Sequence, residues 1–171
     1  MFGLFKKNEP TEPDAEASSS EAFPTAPGTE IRYSPELVEK LKEDHKDLIE
    51  LYGQIAEEFA QADYKAVSQS LARFRGLLQG HLLTENVRLY IYLDRQFAHD
   101  DTKSELIRKF RREMDGIGRA ATNFLRKYEA IGVNTELADA FKRDFNEVGQ
   151  VLVQRIEREE STLYPLYMPT Y

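Results

Sequence analysis

The sequence predicts an all-α protein, an up-down-up-down antiparallel four-helix bundle preceded by a disordered N-terminal tail. Three observations predict it. All seven prolines lie in residues 10–35 or 165–169, so 36–164 contains no helix breaker. That span is rich in Leu, Ala, Glu, Lys and Arg, which favour the helix. Its apolar residues recur at three- and four-residue spacing, and the pattern breaks only near residues 62, 99 and 133. Four helices of about 30 residues with short loops run antiparallel to their neighbours.

The tail is assigned to residues 1–33 and the bundle to 34–171. After Met1-Phe-Gly-Leu-Phe-Lys-Lys7 comes a stretch of Glu, Pro, Thr, Ala and Ser, including Ser18-Ser-Ser20, with too little apolar content to fold alone. Phe2, Leu4 and Phe5 followed by Lys6 and Lys7 suit weak docking on a membrane surface or in a protein partner's groove; the plainer reading is an unselected start to the tail. Ser34-Pro35 reads as N-cap and first helical residue. The first helix runs to about Gln61, with Leu37, Leu41, His45, Leu48, Tyr52, Ile55 and Phe59 on one face. Ala62-Asp63 makes a tight turn, and Asp63 caps a second helix to about Phe97 through Val67, Leu71, Phe74, Leu78, His81, Glu85 and Leu89. His99-Asp-Asp-Thr102 forms the next loop, with His99 in solvent. The third helix carries Leu106, Phe110, Met114, Ile117, Phe124, Tyr128 and Ile131, and Gly132 is its C′ stop. Asn134-Thr135 opens the fourth, whose stripe is Leu137, Phe141, Phe145, Val148, Leu152, Arg155, Glu159 and Leu163, ending before Pro165.

Composition narrows the function. At 171 residues the chain is one domain's worth, and without cysteine any metal must be held by nitrogen and oxygen. A net charge of −7, with the basic residues scattered among acids, argues against nucleic acid. No apolar run approaches the ~20 residues of a membrane span, and no signal-peptide pattern opens the chain, so the expected location is cytoplasmic. Nucleophilic catalysis has no motif here, and nothing identifies an enzyme's substrate.

Residues equidistant from a tight turn share a height in an antiparallel pair. His45 and His81 are centred on residue 63, His81 and Met114 on 97–98, and Met114 and Arg155 on 134–135, which puts all four in one layer. Glu85 and Glu159 follow one turn later, four residues after His81 and Arg155. A buried carboxylate is costly unless a cation or donors meet it. Each histidine alone reads as a hydrogen-bonded core residue; together with the two glutamates they make a set suited to Fe, Mn or Zn. Arg155 has two readings, a buried cation paired with Glu85 and Glu159 or an arginine snorkelling to solvent. Met114 suits core filling better than ligation, and Glu113 reaches inward if the third helix is rotated. Tyr90, Tyr92, Tyr164 and Tyr167 lie near this layer, and Gly76, Gly80, Gly116 and Gly118 mark close packing or room for a small ligand.

The pattern resembles the hemerythrin-like (HHE) cation-binding family. The resemblance rests on Leu41-Lys-Glu-Asp-His45, on His81-Leu-Leu-Thr-Glu85 with Leu89-Tyr-Ile-Tyr-Leu93, and on Arg155-Ile-Glu-Arg-Glu-Glu-Ser-Thr-Leu-Tyr-Pro165, over roughly 35–167. It implies a bundle holding two non-haem irons that binds oxygen or senses oxygen, iron or redox state. His45, His81, Glu85 and Glu159 match ligands; Met114 and Arg155 stand where the family has histidines, and Glu113 adjoins the gap. The implied protein is a sensor or signalling module with a depleted site, holding one iron, or two, or Mn or Zn, with O2 or another diatomic as ligand. The alternative is a metal-free interaction scaffold with an Arg-Glu core network, and an iron-dependent oxidase or peroxidase ranks third.

Overall fold

The computed structural model describes residues 25, 27, 28 and 30–170. The apolar-basic tip at residues 2–7 and its docking role lie outside the described residues. Four helical rods follow one another. The first is α1 (Leu37–Ala60); the second is α2 (Tyr64–Thr84), which continues through a π-helical stretch, Glu85–Tyr90, into α3 (Ile91–Gln96). The third is α4 (Asp101–Tyr128), and the fourth is α5 (Ala138–Arg158), extended by a π-helical stretch, Glu159–Leu163. An isolated antiparallel bridge joins Thr25 to Arg32, and no strand forms among the described residues. No helix among them is long and apolar enough to cross a membrane.

The turns follow local chemistry. Ala62 takes the left-handed φ of +56° that reverses the chain, and Asp63 Oδ1 accepts from the Ala66 amide at 3.0 Å. Asp100 and Asn134 cap the next two helical starts in the same way, accepting from the amides of Lys103 and Glu136. Two expected terminal roles are corrected. Ser34 does not cap α1, which starts at Leu37; the Ser34 amide instead donates to the Tyr167 hydroxyl at 2.8 Å and ties the entry segment to the chain's other end. Gly132 is no left-handed stop, since α4 already ends at Tyr128. A Cβ on Gly132 would meet Lys65 Cα and the Tyr64 carbonyl, both at 3.2 Å, so glycine lets this turn lie on the start of α2. Ile31 and Tyr33, on the tail side of the expected boundary, pack against the core.

The interior has two apolar clusters. One gathers residues such as Leu48, Ile55, Leu71, Phe74, Phe124, Phe141 and Phe145; the other gathers Leu37, Leu41, Leu89, Tyr92, Leu93, Phe110 and Leu163. Leu51 and Ile107 are buried beside the expected Tyr52 and Leu106, which are only partly buried, so the apolar stripe is one residue wider at these two points. Along every rod the polar layer falls between the clusters: His45 between Leu41 and Leu48, His81 between Leu78 and Leu89, Met114 between Phe110 and Ala121, and Arg155 between Phe145 and Leu163.

Candidate metal centre

His45, His81, Met114 and Arg155 line one cavity of about 50 Å³, together with Glu159. The four therefore share one layer, as counting from the turns predicts. Arg155 is 3% exposed and does not snorkel. Its guanidinium lies over Phe110 at 4.6 Å, its Nε donates to Glu159 Oε1 at 2.5 Å, and its Nη2 donates to the Tyr90 hydroxyl at 2.7 Å. Glu113 stays on the outer side, half-buried, accepting from Arg158 at 2.7 Å and more distantly from Arg155 at 3.5 Å.

Each inner glutamate opens a π-helical stretch. At 100° per residue a regular α-helix would turn residue i+5 about 140° away from residue i; a π turn brings it back to the same face. Tyr90 thereby follows Glu85 inward, and Tyr164 follows Glu159. The two stretches share a spelling, Glu85-Asn-Val-Arg-Leu-Tyr90 and Glu159-Glu-Ser-Thr-Leu-Tyr164, preceded by His81 in one and Arg155 in the other. The tyrosines cross over: Tyr164 on the fourth rod donates to Glu85 Oε1 on the second at 2.9 Å, while Tyr90 on the second accepts from Arg155 on the fourth. Tyr92 and Tyr167 are buried but turn to the chain ends, Tyr92 donating to the Met168 carbonyl and Tyr167 accepting from Ser34.

The histidines stand side by side, ring centroids 4.7 Å apart. His45 turns Nδ1 to Glu160 Oε1 at 2.8 Å and Nε2 to Glu159 Oε2 at 3.2 Å. His81 turns Nδ1 towards Asp44 Oδ2 at 3.5 Å, outside hydrogen-bond geometry, and Nε2 towards Glu85 Oε2 at 3.8 Å. Both rings thus point one nitrogen at an outer carboxylate and the other into the centre, the orientation in which a carboxylate holds a metal-ligating imidazole. Donor atoms of His45, His81 and Glu159 all lie within 4.8 Å of one another. Glu85 is not one of those three; its Oε2 and His81 Nδ1 are buried without a hydrogen-bond partner. Two nitrogens and a carboxylate oxygen, with the unpartnered Glu85 Oε2 near His81 Nε2, fit a divalent cation of the Fe, Mn or Zn type.

The electrostatics divide the four groups: His81 and Glu159 are shifted towards their ligating forms, Glu85 and His45 towards their protonated ones. Burial, with repulsion from His45, pushes His81 down to about 4, so it is the neutral, ligating form at neutral pH. Burial and then repulsion from Glu159 push Glu85 up to about 8, against the hydrogen bond from Tyr164 and the attraction of Arg155. Burial acts on Glu159 too, but the His45 contact and Arg155 outweigh it and hold this carboxyl below its usual range. His45 is raised: burial lowers it, and its bonds to Glu159 and Glu160 prevail.

Sequence reasoning left Asp44, Glu160 and the π turns without a role. The repeated Glu-x-x-x-Leu-Tyr was the available signal for the turns; nothing short of tertiary structure orients Asp44 and Glu160. Of the two readings of the four glycines, close packing is corrected. A Cβ would meet nothing within 4 Å at Gly76, Gly80 or Gly116 and only the Leu82 side chain at Gly118, so they do not mark close packing. Gly149, not singled out by pattern, is the close approach, since a Cβ there would run into the Tyr52 ring and hydroxyl.

A buried histidine and carboxylate centre between the rods of a four-helix bundle defines a class of cation-binding helical domains. The family profile of the hemerythrin HHE cation binding domain matches residues 36–167, and the chain belongs to that family. No curated protein and no solved structure matches it.

Proposed function

We propose that this chain binds a single metal ion, iron, through His45, His81 and Glu159, with Glu85 beside them, and that it works as a sensor or regulatory module rather than an oxygen store. The observation that carries the metal reading is the convergence of three donors while both rings face outer carboxylates. The single ion follows from Arg155. A permanent cation bonded to Glu159 at the end of the C-terminal half of the centre takes the charge that a second metal would supply, and it repels one. The adjoining cavity, with Leu48, Phe74 and Leu78 in its wall, has room for a ligand the size of a diatomic.

The same contacts favour a second reading, a metal-free scaffold. Arg155 and His45 already compensate Glu159, and Tyr164 bonds Glu85. Elemental analysis of untagged protein reconstituted with iron(II) separates the two, on wild type and His81→Ala. One iron per chain, lost in the variant, is the expected result. Two irons per chain would refute the substitution of Arg155 for a metal, and none would leave the scaffold.

A further inference from the structure

We propose that Tyr164 is itself a ligand: its phenol oxygen takes a fourth position on the ion held by His45, His81 and Glu159 and marks the ferric protein with a visible absorption band. This rests on the metal reading above. Three features of the centre carry it.

The first is spacing. Donors on one ion with bonds of about 2.0–2.1 Å lie about 2.9 Å apart at octahedral angles and about 3.4 Å apart at tetrahedral ones. The Tyr164 hydroxyl oxygen is 3.2 Å from His45 Nε2, and Glu159 Oε2 is 3.2 Å from the same nitrogen. Both contacts fall inside the interval for neighbouring ligands. One ring nitrogen offers either one proton or one lone pair, so it cannot make a full hydrogen bond to each. An ion among the three satisfies them together.

The second is the π turn. Without the extra residue in Glu159–Leu163, Tyr164 would point away from the face that carries Glu159. The turn costs regular helix bonding and delivers a phenol oxygen to the metal-facing side. Such turns recur at functional sites.

The third is the internal repeat. Tyr90 stands in the other half as Tyr164 stands in this one, at the end of the same Glu-x-x-x-Leu-Tyr turn, and its oxygen accepts from the cation of Arg155 at 2.7 Å. In the C-terminal half the cation is a guanidinium. In the half that keeps its histidines, the equivalent oxygen meets the metal.

On coordination the Tyr164 O–H bond breaks as the oxygen–metal bond forms. The incoming cation first drives Glu85's own proton to buffer, and the Tyr164 proton then follows through Glu85 Oε1, already the acceptor of that hydroxyl at 2.9 Å. The ion's oxidation state does not change in this step.

The test uses full-length untagged protein loaded with iron(II) and oxidised in air, as wild type, Tyr164→Phe and Tyr90→Phe. Iron per chain is read by elemental analysis, and the chromophore by visible absorption and resonance Raman. Wild type is expected to bind one iron and show a phenolate-to-iron band with tyrosinate ring modes. Tyr164→Phe should lose the band while keeping iron, and Tyr90→Phe should keep both. Should Tyr164→Phe fail to fold, a wild-type band retained in Tyr90→Phe still assigns the ligand, because these are the two tyrosine hydroxyls bonded within the centre among the described residues. Bound iron without the band, or a band that survives Tyr164→Phe or vanishes in Tyr90→Phe, overturns the proposal and leaves the metal reading standing. No iron in wild type removes both.

Discussion

Replacing Arg155 by methionine in chelator-treated protein tests what holds the two buried glutamates. The substitution keeps the length and apolar stem and deletes the charge. Lost with it are the 2.5 Å bond to Glu159, the 2.7 Å bond to Tyr90 and the packing over Phe110. Glu159, 2% exposed, is left with His45, and Glu85 loses part of the attraction that offsets its burial. A charge-assisted hydrogen bond is worth about 1.5–3 kcal/mol, and breaking a buried pair by removing one partner costs about 3–5 kcal/mol. We expect a loss of about 4 kcal/mol in urea unfolding, or a fall in Tm of about 8–16 °C for a domain of this size. Glu159→Gln in the same background should restore part of that loss, because it removes the stranded charge. A loss below about 1 kcal/mol, or a double variant whose cost is the sum of the singles, would refute the buried-pair reasoning.

Two further outcomes follow from the centre and its surroundings. Chelator-treated protein should be less stable at pH 8 than at pH 6.5 by about 2 kcal/mol. Glu85 is raised to about 8 from an unfolded value near 4.3, so the folded state binds more protons and its stabilising share is lost as pH rises through this window. His45, also raised, acts in the same direction, while the lowered His81 opposes it mostly below pH 6.5 and offsets only a small part above it. Urea titrations at the two pH values check this, and Glu85→Gln should flatten the difference; equal stability, or an unchanged slope in the variant, would contradict it. Gly149→Ala should cost about 1–3 kcal/mol by thermal melting, because Tyr52 must leave its 4.0 Å stack on Phe145 and its hydrogen bond to the Phe145 carbonyl. Gly76→Ala, with open space at its Cβ, should instead hold or gain stability, and equal melts for the two variants would discount the close approach.

Helical periodicity and the proline distribution were sufficient for the four rods, because a 3.6-residue repeat is a local property of the chain. Short loops were sufficient for the shared height of His45, His81, Met114 and Arg155, because antiparallel geometry makes height a matter of counting from each turn. The helix starts were less legible. Ser34 has the right chemistry for a cap, and only the position of Tyr167 at the other end of the sequence shows where its amide is used.

By itself, then, the sequence determined the bundle, the order of its layers, and the shared height of His45, His81, Met114 and Arg155 with two glutamates one turn beyond. Tertiary structure decided what those groups do to one another. Whether Arg155 snorkels or turns in depends on Phe110 and Tyr90 on other rods. Which ring nitrogen faces the centre depends on Asp44 and Glu160. Which tyrosines reach it depends on two π turns whose extra residue shifts every later side chain around the helix. Periodicity places a residue on a face; direction within a buried centre is set by contacts between segments far apart in the chain.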